Sequence, residues 1–364
     1  MSWLFVFFGF SALIILHEAG HFLAAKATGM RVERFFLFFG PKLLSVKRGE
    51  TEYGIATIPA GGYVKISGMH PEDKLPPGED HRGYYEQPVW KRIVVIGAGP
   101  AVNIVLAFLI LFAVSLFDAQ RATQRVGEIV PKSPAAGQLE HGDRIVSVDG
   151  KAYPHAAPEE RLEDFAKQVS SHKCAGKEVD GCTATTPVTL RVRRNGSVKT
   201  IVVRPEYDSS VGRTRIGFSY EEAPANLGIG GALDRSASFM WLVTHKTLTV
   251  FANLLDAEQR KEVSGVVGVS DVAHQTIDQF GATEALILLA VVSLSLGLIN
   301  LFPFLPLDGG HIFWSLVEKV RGKPVAFSVM ERAGAIGFVL VIMLFFIGLS
   351  NDIGRLTGEG FNVR

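Results

Sequence analysis

Four stretches of the chain are nearly continuous in apolar side chains, at residues 3–25, 93–117, 285–305 and 333–349. Each approaches the roughly 20 residues that a helix needs to cross a hydrocarbon layer, so the pattern predicts about four transmembrane helices. The polar stretches between them are built differently. Apolar runs at 53–58 and 63–66 flank Pro59-Ala60-Gly61-Gly62, which predicts a β-hairpin with a glycine-permitted turn. Residues 70–88 are rich in Pro, Gly and charge and read as a loop. Between 124 and 206 the chain turns polar, with alternation at Val188, Leu190 and Val192 before Asn195-Gly196, the pattern of a small β-rich domain. Within 225–284, residues 232–255 place apolar side chains at helical spacing beside Arg235, His245 and Lys246, as an interface-lying or a plain surface helix would.

Composition sharpens this in one direction. The 364 residues are 48% apolar with mean hydropathy +0.24, which favours a lipid bilayer as partner over solution. A formal net charge of +1 offers no general attraction to nucleic acid, and none is expected to bind. No basic region precedes the first apolar stretch, and histidine and charge follow within it, so it reads as a retained helix of residues 1–28 rather than a cleaved signal. The segments 29–92 and those after the third span carry Arg31, Arg34, Lys42, Lys47, Arg48, Lys91, Arg92, Lys319, Arg321 and Lys323. The positive-inside rule makes that side cytoplasmic and the 124–206 domain extracytoplasmic. Cys174 and Cys182 fall in that domain, where an oxidising compartment would allow a small disulfide loop; two buried free thiols are the alternative.

The chemistry concentrates in two places. His17-Glu18-Ala19-Gly20-His21 sets two imidazoles one helical turn apart on one face, with a carboxylate beside them. That spacing suits two zinc ligands and a general base, and ionisable groups inside an apolar span are costly without a function. A catalytic zinc site takes a third protein ligand. Asp308 is the leading candidate, because it ends the third apolar segment (285–311) behind Pro303 and Pro306, which break the helix at membrane depth. Capping of the next helix is its ordinary alternative role, and His311 ranks second as a ligand. Asn103 and Asn300 are amides in otherwise apolar runs, suited to inter-helix hydrogen bonds or to holding a substrate.

These motifs resemble the site-2 protease family, within it the bacterial RseP-like branch. His17 to His21 is similar to the family's HExxH, and Asn300 to Gly309 to its NxxPxPxLDG, with the middle proline displaced to Pro306. Residues 59–65 resemble its membrane-associated β-hairpin, Gly99 to Asn103 its GPxxN, and Ser264 to Gly268 its SGPxG with valine in place of proline. Val126 to Gly150 resembles the opening of one PDZ domain. The resemblance implies a polytopic α-helical membrane protein with a cytoplasmic membrane-associated β-hairpin and an inserted extracytoplasmic PDZ-like domain. It further implies an intramembrane zinc metalloendopeptidase of the inner membrane, cutting single-pass transmembrane proteins such as anti-sigma factors already shortened by another protease. His17, His21 and Asp308 would bind Zn2+ and Glu18 would be catalytic. Asn300, Gly61, Gly62, Tyr63 and Asn103 would contact substrate, the hairpin edge pairing with it as a strand. A membrane zincin of another family and a non-catalytic PDZ scaffold are the competing readings. The last span is expected at 333–350.

Overall fold

A computed structural model describes residues 2–70, 73, 75–156, 158–176, 178–209, 211–253, 256 and 265–357. Ser264 of the SGPxG-like segment, and residues 254 and 255 at the end of the expected amphipathic helix, lie outside them. The chain forms two compact units, Met1–Leu116 with Gly228–Arg364, and Phe117–Leu227.

The first unit is helical. Among the described residues, four helices are long and apolar enough to cross a membrane: Val6–Ala27 within α1 (Ser2–Ala27), α2 (Val89–Phe117), the helix Ala282–Asn300, and the helix Phe327–Thr357. These match the four apolar stretches, except that the third helix ends at Asn300, ahead of Pro303, and not at the expected residue 305. Pro100 stands inside α2. After α4 (Gly228–Ala252) come α5 (Val266–Phe280), α6 (Ala282–Asn300), α7 (Asp308–Arg321) and α8 (Phe327–Thr357). Asp352 of α8, fully buried, accepts from the backbone N–H of Gly265 (3.0 Å) and of Gly268 (2.8 Å), and so neutralises the open amides at the start of α5.

The expected hairpin around residues 59–62 is not the one that forms. β1 (Val32–Arg48) and β2 (Thr51–Ile66) pair antiparallel and are joined at Gly49-Glu50, with Gly49 at φ 64°. Phe35 lies opposite both Tyr53 and Val64, and Leu37 opposite both Ile55 and Gly62. The two apolar runs of β2 are therefore separated by residues 34–37 instead of pairing with each other. Gly61, at φ 124°, bends β2 without closing a hairpin.

The second unit carries a five-stranded sheet of order β6-β5-β4-β3-β9. Its strands are β3 (Gln120–Ile129), β4 (Arg144–Val148), β5 (Val188–Arg194), β6 (Ser197–Val203) and β9 (Phe218–Pro224). A short pair, β7 (Glu206–Asp208) and β8 (Arg213–Arg215), lies between the last two. Val126, Ile145, Val148 and Leu190 form the core with Leu162 and Phe165 of α3 (Pro158–Ser170). The unit runs past the expected limit of 206 because β9 pairs with β3, tying its two ends together. Cys174 and Cys182 are joined by a disulfide.

Candidate metal centre

The C-terminal half of α1 carries His17 and His21, each 7% exposed. Being four residues apart, they lie on one face, and their Nε2 atoms come within 3.2 Å. Asp308 enters from the first turn of α7, its Oδ2 3.2 Å from His17 Nε2 and 3.3 Å from His21 Nε2. The broken segment before it makes this possible. Leu301 and Phe302 bond back to Leu298 and Ile299, and the chain then turns at Pro303 and Pro306 into α7. Gly309 and Gly310 sit so close to the backbone of residues 301, 302, 304 and 305 that a Cβ at either would overlap it.

The three donor atoms form a triangle with edges of 3.2, 3.2 and 3.3 Å. A tetrahedral zinc with nitrogen and oxygen ligands at about 2.0–2.1 Å has ligand-to-ligand edges of about 3.3 Å. Asp308 Oδ2 is buried and, although within ion-pair reach of both imidazoles, has no hydrogen bond of acceptable geometry. Two imidazole nitrogens and a carboxylate oxygen converging in this way fit a zinc ion.

The far side of each imidazole is anchored on α2. His21 Nδ1 donates to the carbonyl of Val95 at 2.9 Å. His17 Nδ1 lies 3.3 Å from the side-chain amide of Asn103. Turned about its amide axis, Asn103 presents Oδ1, a buried atom otherwise without a partner, to accept from His17 Nδ1–H. Both rings then direct an Nε2 lone pair at the same point, as orienting partners of metal-bound histidines do. Asn103, expected among the substrate contacts, is fully buried beside His17. A hydroxyl from α6 steadies it in turn, Ser293 Oγ donating to the Asn103 carbonyl at 2.9 Å.

Two glycines let α1 and α2 approach closely enough for these bonds. At Gly20 a Cβ would lie 2.6 Å from the Ala98 carbonyl oxygen, and at Gly99 it would fall within the His21 ring. Gly99 of the GPxxN-like motif thus admits an imidazole, a role that its sequence context does not announce.

Glu18, half-buried, faces β2. Its Cγ stands 3.0 Å from where a Cβ at Gly62 would be. Tyr63 is held by stacking on Phe36 and Phe39, both with ring centroids 5.6 Å away. Gly61 and Gly62 thus bring the strand past the carboxylate that adjoins the two histidines. Asn300 is half-buried at the last position of α6. The partners of the imidazoles are Val95 and Asn103, so Asn300 is free of the task of orienting them.

The profile of Peptidase family M50 matches residues 5–344. This chain belongs to that family. Similarity also extends over nearly the full length of individual relatives. A Clostridium perfringens chain whose name ascribes zinc metalloprotease activity is 32% identical over 357 residues, covering 96% of this chain and 98% of that one. The zinc metalloprotease Rip1 of Mycobacterium tuberculosis is 30% identical, with 93% and 94% covered, and Rip1 of Mycolicibacterium smegmatis is 29% identical, with 94% and 92% covered. As an M50 peptidase, the protein is a membrane zinc metalloprotease of the site-2 protease type.

Proposed function

We propose that the protein cleaves single-pass transmembrane proteins at bilayer depth, as a step of regulated intramembrane proteolysis, with His17, His21 and Asp308 holding the zinc and Glu18 as general base. The observation that carries this reading is the position of the three converging donor atoms within or directly beside helices long enough to cross a membrane. When bound, zinc supplies Lewis acidity at that point. Glu18 takes a proton from the attacking water and returns it to the leaving amine.

A substrate must give up helical hydrogen bonds before a peptide bond can be reached. The β2 segment from Gly61 to Ile66, running beside Glu18, offers strand pairing in exchange, with Gly62 leaving room for close passage and Tyr63 braced by its aromatic neighbours. Asn300 then fixes a substrate carbonyl near the metal. The fitting substrates are membrane proteins such as anti-sigma factors that another protease has already shortened, the second unit acting as a PDZ-like filter. Inner-membrane placement with that unit outside the cytoplasm follows from the positive charge between the first two spans. Its disulfide is in keeping with an oxidising compartment.

Comparing membrane-protein fragments in cells carrying wild type and Glu18→Gln tests the proposal. The variant should retain zinc and lose turnover about 10²–10⁴-fold, with uncut membrane proteins accumulating. Wild-type fragment patterns from a zinc-loaded variant would remove Glu18 from the mechanism.

A further inference from the structure

α4 belongs to none of the four spans, because Asp234, Arg235, His245 and Lys246 lower its hydropathy. Its contacts nevertheless follow α2 downward. Ser236 Oγ reaches Ser115 Oγ at 3.4 Å, near the C-terminal end of α2. Phe239, Met240 and Val243 pack on Ala107 and Leu111 of α2 and on Ala290 and Leu294 of α6. Phe251 stacks on Phe302, ring centroids 4.6 Å apart, in the broken segment that delivers Asp308. Ser236 to Phe251 is fifteen residues, or about 22 Å of helix, most of a hydrocarbon layer about 30 Å thick.

At 100° per residue, the sides of α4 separate into three. Ala232, Ser236, Met240 and Val243 face the neighbouring helices. On one flank lie Leu233, Trp241 and Leu248, all exposed and apolar. On the other lie Ser238, His245, Lys246, Thr249 and Asn253, all exposed and polar, with Leu242 the one exposed apolar side chain among them. Polar and ionisable groups at bilayer depth face water or protein, because lipid solvates them poorly.

We infer that α4 is a fifth membrane-embedded helix, with lipid against its Leu233/Trp241/Leu248 flank and a water-filled crevice along its His245/Thr249/Asn253 flank that leads from the C-terminal end of α2 to the Asp308 segment. This rests on the reading that α2 and α8 cross a bilayer, and it adds a hydrated approach to the site from the side where α2 ends. Its ligand is water, together with the polar backbone of whatever chain is drawn in.

Single cysteines at Trp241, Leu248, His245 and Thr249 in native membranes decide it, the native disulfide being inert to maleimide. Phe338→Cys in α8 serves as a lipid reference and Val198→Cys in the second unit as a water reference. With a membrane-impermeant maleimide, the variants at 245 and 249 should label at least about tenfold faster than those at 241 and 248, which should match 338. Equal, rapid labelling at all four would put α4 in solution and overturn the embedding. Protection at all four would overturn the crevice. If Phe338→Cys itself labels as fast as Val198→Cys, the four-span reading fails instead.

Discussion

The space beside Gly99 of α2 is filled by the imidazole of His21, whose Nδ1 reaches back to Val95 one turn earlier. Helix contact and ligand orientation are thus one feature. Gly99→Ala should move the ring and lower zinc occupancy and turnover together, by about 10²-fold in activity if the nitrogen shifts by about 1 Å. Gly97→Ala, whose added methyl would meet only Ile312 Cδ1 at 3.9 Å, should leave both unchanged. Metal analysis of the two purified variants reads the difference.

A second glycine seats the aspartate from the opposite direction. A Cβ at Gly337 of α8 would collide with the carbonyl of Leu305, whereas one at Gly334, a turn earlier, would meet the Leu305 side chain at an ordinary 3.7 Å. Gly337→Ala should displace the segment leading to Asp308 and weaken zinc retention under chelator challenge. Gly334→Ala should bind zinc as wild type does. Equal retention by both would show that the segment yields without moving the carboxylate.

Glu50, at the β1–β2 turn, has its carboxyl lowered to about 2, first by hydrogen bonds from Arg82 and then by Lys26 at 2.5 Å. A carboxyl depressed in the folded state adds stability that is complete above its unfolded value near 4.5 and is lost as pH falls from there to about 2. Thermal melting of detergent-solubilised protein should therefore fall across that window. Glu50→Gln should melt lower at neutral pH and show a flatter acid limb. A parallel acid limb in the variant would assign the loss to other groups.

Asp352→Ala leaves the Gly265 and Gly268 amides without their acceptor inside the protein. Hydrogen bonds to a charged group contribute about 1.5–3 kcal/mol each, so α5 should fray at its start. Hydrogen exchange at residues 265–268 should accelerate, while zinc content stays at the wild-type level.

Much of this site was legible because its chemistry is spelled in short segments. His17 and His21 need only helical periodicity to share a face, and Asp308 stood out because two prolines precede it where an uninterrupted helix would be expected. What sequence patterns could not supply were the contacts across space. Pro59 to Gly62 has the composition of a tight turn, yet residues 34–37 separate the two runs, a pairing decided by the non-local partner. Asn103 reads as an inter-helix amide whatever it touches, and only its 3.3 Å approach to His17 makes it an orienting group. Asp352 sits near the end of a long helix and looks like an interface residue until α5 is packed against it. α4 was legible as an amphipathic helix, because apolar side chains recur at helical spacing over residues 232–255.

The three converging donor atoms come from distant parts of the chain, two histidines from α1 and one carboxylate from α7, with the entire second unit inserted between them. A ribosome therefore builds the histidine pair, Glu18 and the second unit long before it reaches codon 308. Until that codon is translated, the nascent polypeptide holds only two of the three donors, and chains truncated before residue 308 should retain no zinc.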